Sequence, residues 1–511
     1  MLAGRKPVQV VVDGSPLTID EVVAVAYGDA EVVVGDGLDE RMAPAAELVD
    51  RVVADDRIVY GITTGFGALA STHIPPDRAT DLQYDLIRSH AAGVGELMPA
   101  EIVRAMLLCR ARTLAQGHSG VRPAVVRALI DLLRNGILPA VPSQGSVGAS
   151  GDLAPFAHLA LPLIGEGLVL SDDGPVPSGP VLEAAGIEPL ALRPKEGLSL
   201  LNGTEGMLAM GCLAVHRARQ LVDANDAACA LSVEALMGST RPFEHRVHAL
   251  RPHPGQTESA ARIGRLLEGS EISKMHHDDF THKVQDAYSL RCAPQVHGAV
   301  RDTIARAESV FGIELGSVVD NPIVFPDDRD VISAGNFHGQ PLAFALDFLA
   351  IAVTELGSIS ERRTDRLLDP DRSSGLTPFL ATEPGVSSGY MITQYTAAGI
   401  VAENRVLSHP ASVESIPTSG LQEDHVSMGW GAATKLNTIL TNTARVIAVE
   451  LMCAAQGAEQ REAALAPGTA TVKNLVRSVC KPLVADRPPG PDMEAIANLI
   501  ETGAFSRIGA P

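Results

Sequence analysis

The run from residue 145 to residue 155 carries residue types that could do chemistry no ordinary side chain provides. It reads Gly-Ser-Val-Gly-Ala-Ser-Gly-Asp-Leu-Ala-Pro, and its three glycines stand three residues apart. Glycine adopts backbone angles that other residues avoid, so this spacing predicts a tight, crowded loop. The apolar run that follows predicts a helix from Leu153, with Asp152 as its cap.

Familiar kinds of binding and catalytic loop do not match this run. A phosphate-binding loop needs Lys-Ser or Lys-Thr after its glycines. A dinucleotide-binding loop needs its glycine pattern directly after a strand. A serine hydrolase needs Gly-x-Ser-x-Gly, whereas Asp152 stands in the place of the second glycine. The loop is therefore either a plain turn before a helix or a reactive segment of backbone.

The second possibility makes the backbone itself the reactive group. The amide nitrogen of Gly151 could attack the carbonyl carbon of Ala149, because glycine has no Cβ to block the approach. Loss of water would close a five-membered ring, and loss of the Ser150 hydroxyl would leave an exocyclic methylidene. The product would be an electrophile, which no ordinary side chain supplies.

The run resembles the signature of the aromatic amino acid ammonia-lyases and 2,3-aminomutases, which carry a self-made methylidene-imidazolone (MIO). Five further runs resemble this family in the same order: Tyr60-Gly-Ile-Thr-Thr-Gly-Phe-Gly67, Leu200-Leu-Asn-Gly-Thr204, Gln285-Asp-Ala-Tyr-Ser-Leu-Arg291, Asp320-Asn-Pro322 and Gly335-Asn-Phe-His-Gly339. The resemblance implies that MIO forms autocatalytically from Ala149, Ser150 and Gly151, with no dissociable cofactor and no metal. It also implies a homotetramer in which three subunits build each active site.

The resemblance further implies the roles of individual residues. Tyr60 would be the base that removes the β-proton, and its phenol needs help because the reference pKa of tyrosine is about 10. Helix N-termini directed at the loop could provide that help. Arg291 suits a bidentate pairing with the substrate carboxylate. The substrate-binding residues would be His90, Asn202, Gln285, Tyr288, Arg291, Phe337 and Glu423.

Two positions resemble the histidine-specific members of the family. One is the Ser89-His90 pair, and the other is Glu423, where the phenylalanine and tyrosine enzymes carry glutamine. A carboxylate can accept a hydrogen bond from an imidazole N–H, and a phenyl ring offers no such donor. The resemblance thus implies that L-histidine becomes trans-urocanate and ammonia, the first step of histidine degradation. Leu421 departs from the pattern, because many histidine enzymes have asparagine there.

Other functions stay open at this point. Some bacterial tyrosine aminomutases share the Ser-His pair, so a 2,3-aminomutase or lyase acting on histidine or tyrosine is the main alternative. A phenylalanine or tyrosine lyase fits less well because of His90 and Glu423. A non-catalytic helical binding protein would be favoured by loss of Ser150 or Tyr60, and both are present.

The elements around these motifs predict a mainly α protein with a smaller mixed α/β part at its N-terminus. Val8 to Val12 and Glu31 to Val34 predict strands of a small sheet. The leucines and valine at 342, 346, 349, 353 and 356 repeat every seven residues, which predicts a packed helix in a bundle. A second long helix is predicted from Lys435 to about Glu462. We expect an N-terminal part over residues 1–200 with the active-site loops, and a helical part over residues 201–511, within one integrated unit.

Composition indicates which binding partners and which cellular environment to expect. The 511 residues carry a formal net charge of -20, so a nucleic-acid partner is not expected. The six cysteines lack metal-ligand or redox spacing, and we expect free thiols in a reducing cytoplasm. The N-terminus has no apolar stretch typical of a signal peptide. The most apolar run, Pro341 to Val353, is broken by Asp347 and is expected to be too short to span a membrane.

Overall fold

The computed structural model describes residues 8–148, 152–273 and 284–509, and it is mainly helical. The α-helices of these ranges are α1 Ile19–Ala26, α2 Leu38–Ala54, α3 Ala79–His90, α4 Ala100–Leu114, α5 Pro123–Arg134, α6 Leu153–Ala160, α7 Ser178–Ala185, α8 Glu196–Leu201, α9 Glu205–Ala235, α10 His245–His248, α11 Pro254–Leu266, α12 Tyr288–Arg291, α13 Ala293–Glu314, α14 Gln340–Leu368, α15 Met391–Leu407, α16 Gly429–Ala458, α17 Pro467–Val479 and α18 Gly490–Glu501. The predicted mainly α fold is confirmed.

The strands of the same ranges form short two-stranded sheets. They are β1 Val8–Val12, β2 Ala30–Val34, β3 Val94–Leu97, β4 Pro142–Gln144, β5 Leu168–Val169, β6 Val176–Pro177, β7 Ile323–Phe325 and β8 Asp330–Ile332. The first two pair in parallel, with Val8 opposite Ala30, and the other three pairs are antiparallel. The predicted N-terminal sheet is therefore present, with Val10 and Val12 buried on its inner face.

Local signals in the sequence define several helix ends. The Thr18 side chain accepts from the amide of Glu21, and the Glu21 carboxylate accepts from the amide of Thr18, which is a complete capping box. The helix predicted over residues 153–164 is α-helical only to Ala160. It tightens into a 3₁₀ turn that ends at Gly165, whose left-handed φ of 79° closes the helix. The last long helix begins at Gly429, six residues earlier than predicted.

The chain forms two compact units that interleave along the sequence. The first comprises Met1–Leu213, Glu308–Leu346 and Pro410–Thr434, and the second comprises Ala214–Ala307, Asp347–His409 and Lys435–Pro511. These units do not follow the expected division at residue 200. The chain returns twice to the first unit. Four of the five changes of unit fall within helices of 22 to 31 residues, and the fifth falls between His409 and Pro410, after α15.

The predicted helical stripes are core positions. Leu349, Val353 and Leu356 of α14 are fully buried, and Leu436, Leu440, Ile447 and Leu451 of α16 are buried as well. Burying side chains of this size contributes roughly 1.5–3 kcal/mol each.

In the described residues, three apolar helical stretches are long enough to cross a bilayer, so the expectation that the most apolar run is too short is wrong. They are Glu196–Ala235, Gln340–Leu368 and Gly429–Ala458, and the second contains the run from Pro341 to Val353. Their most apolar windows are 100%, 72% and 83% buried inside the protein. Burial, rather than length, is what makes these helices core elements.

Candidate active site

A cavity of about 910 Å³ in the first unit brings together residues that are far apart in the sequence. Five of the predicted site residues line it: Tyr60, His90, Asn202, Phe337 and Glu423. They come from a loop, from the end of α3, from the turn between α8 and α9, and from the loops before α14 and α16. The lining of the cavity therefore combines a phenol, an imidazole, an amide and a carboxylate.

The loop that carries Tyr60 folds back on itself. The Tyr60 hydroxyl accepts a hydrogen bond from the amide of Gly67 at 3.3 Å. Gly67 has a φ of 52°, and a methyl group there would lie 2.1 Å from Ser419 Oγ. Only glycine allows this close approach of the two loops. Ser419 Oγ also accepts from the amide of Ala68, so the Tyr60 loop is attached to the loop that carries Glu423.

The surroundings of Tyr60 raise its pKa. Burial is the main cause, and the negative charge of Glu423 acts in the same direction. The hydrogen bond from the Gly67 amide lowers the pKa but is the weaker influence compared with burial. On balance, the described surroundings of Tyr60 therefore raise its pKa, which is the opposite of the help toward deprotonation expected from the sequence.

The carboxylate of Glu423 is held by its own loop. The Thr418 hydroxyl donates to Glu423 Oε2 at 2.6 Å, and the Thr418 amide donates to the Glu423 carbonyl at 3.0 Å. These contacts fix both the backbone and one carboxylate oxygen of Glu423. His90 lines the same cavity, and burial lowers its pKa while the charge of Glu423 raises it.

Leu421 differs from the histidine-specific pattern in the backbone conformation that it must adopt, in the loop that carries Glu423. Its side chain is 73% exposed, and it is not among the described residues that line the cavity. Its φ is 71°, a left-handed conformation that asparagine adopts more easily than leucine. The departure from the histidine-specific pattern therefore leaves the lining of the cavity unchanged and places a strained residue two positions before Glu423.

The side-chain amide of Asn202 is oriented by acceptors on one side. Its Nδ2 donates to Asp320 Oδ1 at 3.2 Å and to the carbonyl of Asn321 at 2.9 Å. Both partners are acceptors, so the nitrogen must face them, and Oδ1 is the atom left for a ligand. Asp320 is itself held by the ammonium of Lys195 at 2.9 Å, and this ion pair is fully buried.

The predicted electrophile residues Ala149, Ser150 and Gly151 lie outside the described residues, but both flanks are tightly held. On one side the Ser427 hydroxyl donates to the Gly148 carbonyl at 2.7 Å. On the other side the Asp152 amide donates to the Gly203 carbonyl at 2.6 Å. A methyl group at Gly148 would lie 2.4 Å from Ser427 Oγ, so this position accepts only glycine. Anchors at both ends suit a loop whose backbone must be compressed.

Asp152 caps a different helix from the one predicted. Its side chain makes no capping bond to α6, which it precedes. Its Oδ2 accepts from the amide of Met207 in the first turn of α9, and its Oδ1 accepts from the Ser146 hydroxyl. Burial raises the pKa of this carboxyl to about 7.

Four helices begin beside the flanks of the triplet. Asp152 precedes α6 and accepts from Met207 at the start of α9. A methyl group at Gly148 would lie 2.9 Å from the amide nitrogen of Gly429, where α16 begins. A methyl group at Gly339, which directly precedes α14, would lie 3.2 Å from the Gly148 carbonyl oxygen. Helix N-termini carry partial positive charge, so this part of the unit stabilises groups that carry or develop negative charge.

A model of the family "Aromatic amino acid lyase" matches residues 17–479 of the chain. The histidine ammonia-lyase of Streptomyces griseus is 50% identical over 504 residues, which cover 98% of this chain and 97% of that protein. The chain belongs to the aromatic amino acid lyase family. It is therefore an enzyme that cleaves a carbon–nitrogen bond.

Solved structures of other members of the aromatic amino acid lyase family share the whole fold. The tyrosine aminomutase of Streptomyces globisporus has a TM-score of 0.93 at 40% identity, with 98% of each chain covered. The histidine ammonia-lyase of Trypanosoma cruzi has a TM-score of 0.90 at 42% identity, covering 98% of this chain and 95% of that one.

Three predicted site residues of this lyase lie in the second unit and are not among the residues that line the cavity. Gln285 and Arg291 line a separate pocket of about 330 Å³, and Tyr288 is 71% exposed. The Arg291 guanidinium lies over the Tyr288 ring at 4.6 Å, and its Nε donates to the Asp286 carbonyl at 3.0 Å. No lysine or arginine is among the described residues that line the 910 Å³ cavity.

Sequence reasoning missed the residues of this lyase that hold the predicted ones in place. Thr418 and Ser419 belong to a polar break whose position is evident in the sequence, directly before Glu423. Lys195 carries no such signal, because its partner Asp320 is 125 residues away. The described residues contain no cluster of three or more metal-ligating side chains.

Proposed function

We propose that this lyase converts L-histidine to trans-urocanate and ammonia. The observation that carries the proposal is the meeting of His90 and Glu423 with Tyr60 in one cavity. A carboxylate and a neutral imidazole are both suited to hydrogen-bond an imidazole ring, whereas a phenyl ring offers neither of them a hydrogen bond. The 50% identity to several histidine ammonia-lyases over nearly the full length supports the same substrate.

We propose that MIO forms from Ala149, Ser150 and Gly151. The anchored flanks, the obligatory glycine at 148 and the helix N-termini nearby fit a compressed, electron-withdrawing site. When present, MIO supplies an electrophile for the substrate amine. The roles of the surrounding residues follow from their own chemistry.

Tyr60 is our candidate for the base that takes the β-proton. Tyr60 lines the cavity, and the charge of Glu423 contributes to its raised pKa. An imidazole N–H that donates to Glu423 would offset part of that charge. Substrate binding would then lower the pKa of Tyr60 and favour the phenolate only when the correct side chain is present.

The substrate carboxylate needs a cation, which the described lining of this cavity lacks. We propose that Arg291 of another copy provides it, together with Gln285 and Tyr288, within a homotetramer. Exposed apolar side chains on the second unit support association. They are Phe348 and Ile351 on α14, and Ile392, Tyr395 and Val406 on α15. We also propose a cytoplasmic location, which suits the six free cysteines.

Incubation of the purified protein with L-histidine, followed by the absorbance of urocanate, tests the activity. Ser150→Ala is the matched control, since it should keep the fold but lose both the near-ultraviolet absorbance of MIO and nearly all turnover. Full activity of Ser150→Ala would contradict the mechanism. Absence of urocanate from the native protein would contradict the substrate.

A 2,3-aminomutase is the second candidate, favoured by the close structural likeness to a tyrosine aminomutase. The two activities share every residue named above and differ in whether ammonia is released or added back. Chromatography of the product mixture for β-histidine and β-tyrosine separates them.

A further inference from the structure

Ser89 contacts the ring of His90 and the backbone of the same helix. Its Oγ lies 3.1 Å from His90 Nδ1 and 3.2 Å from the carbonyl oxygen of Leu86. All three residues lie in the last five residues of α3, and all three line the 910 Å³ cavity. The Ser89 hydroxyl is therefore a hydrogen-bonding partner of His90 Nδ1.

The number of hydrogens available decides the direction of these contacts. A serine hydroxyl has one hydrogen, and a carbonyl oxygen can only accept. The hydrogen of Ser89 therefore goes to Leu86, and a lone pair of Oγ faces His90 Nδ1. The Leu86 carbonyl is a second acceptor against the ring, where its hydrogen bond raises the pKa of His90. A ring hydrogen on Nδ1 of His90 satisfies both contacts.

The ring of His90 carries only that one hydrogen when it is neutral. Burial is the largest influence on its pKa and lowers it, which favours the neutral form. With the hydrogen on Nδ1, the other nitrogen, Nε2, has a lone pair. Nε2 is therefore a hydrogen-bond acceptor.

We propose that Ser89 is a positioning residue that holds His90 in the Nδ1–H tautomer, so that Nε2 accepts a hydrogen bond from the side-chain ring of the substrate. The inference rests on the proposed histidine activity and adds a reason why serine precedes His90. The site then prefers a ring with an N–H donor over a phenyl ring for two reasons, the lone pair of His90 and the carboxylate of Glu423. Ser89 itself need not touch the substrate.

The test compares Ser89→Ala with Ser89→Thr, which keeps the hydroxyl. For each purified variant, kcat and KM are measured with L-histidine, and inhibition constants are measured for trans-urocanate and trans-cinnamate. These two acids differ only in the ring, and only urocanate has a ring N–H. The near-ultraviolet absorbance of MIO and the melting midpoint show that each variant is folded.

We expect Ser89→Ala to raise the KM for L-histidine and the inhibition constant of urocanate about tenfold. The inhibition constant of cinnamate should stay within about twofold, and Ser89→Thr should behave like the native protein. Equal weakening of urocanate and cinnamate, or no recovery in Ser89→Thr, would overturn the inference. A native protein that makes no urocanate would instead contradict the proposed function, so the two failures are distinct.

Discussion

The hydroxyl of Thr418 donates to Oε2 of Glu423 across 2.6 Å, and the two residues also pair through their backbones. This contact fixes the only carboxylate among the predicted substrate-binding residues. A hydrogen bond to a charged group contributes about 1.5–3 kcal/mol. Thr418 thus holds the group that we expect to recognise the substrate ring.

Replacing Thr418 by valine keeps the shape of the side chain and removes the hydroxyl. We expect the KM for L-histidine to rise about tenfold, which corresponds to about 1.4 kcal/mol, because Glu423 is no longer fixed. Thr418→Ser is the control and should retain nearly native KM. An unchanged KM in Thr418→Val would show that Glu423 does not depend on this contact. Steady-state kinetics with L-histidine measure both variants.

Glu423→Gln should change both the substrate preference and the pH dependence. We expect kcat/KM for L-histidine to fall about a hundredfold, with a melting midpoint within about 2 °C of the native value. The Glu423 charge raises the pKa of Tyr60, so its removal should lower that pKa. A base works when deprotonated, so the rise of kcat/KM with increasing pH should move to lower pH.

The pH measurement needs a reference for the titration of the substrate amine. The same amine titrates in assays of the native protein, so the comparison between the two profiles removes its contribution. Profiles that coincide for native protein and Glu423→Gln would contradict the coupling between Glu423 and Tyr60.

Tyr60→Phe tests whether Tyr60 is the base, and this variant should lose nearly all turnover.

Leu421→Asn should stabilise the loop that carries Glu423. The φ of 71° costs leucine about 1 kcal/mol, and asparagine adopts this conformation more readily. We expect slower cleavage of the loop by a protease and little change in kcat, since Leu421 does not line the cavity. Leu421→Ala is the matched control, because it removes the exposed side chain and keeps the unfavourable backbone. Equal protease resistance in both variants would contradict the argument.

Co-expression of two inactive variants tests whether copies share their active sites. Tyr60→Phe and Arg291→Ala change residues of different units, and each alone should lose most activity. If a site takes Tyr60 and Arg291 from different copies, random mixed oligomers should recover about a quarter of the native activity. Co-expressed variants without recovery would place both residues of a site in one chain. The separately purified variants are the controls.

Local patterns in the sequence were sufficient for much of the fold. The strands β1 and β2 and the buried stripes of α14 and α16 are all encoded within short runs of chain. Such features depend on neighbours along one helix or strand, where the spacing of apolar residues follows directly from backbone geometry.

The same sequence also carries the basis of the proposed chemistry, because Ala149, Ser150 and Gly151 are adjacent and because a carboxylate such as that of Glu423 can accept a hydrogen bond from an imidazole N–H. Only the tertiary structure decided how the supporting side chains are used. Asp152 bonds the start of α9, 55 residues away, instead of its own helix, and Lys195 finds Asp320 across 125 residues. A polar side chain has several possible partners of equal chemistry, and the path of the backbone selects which one lies within hydrogen-bond distance.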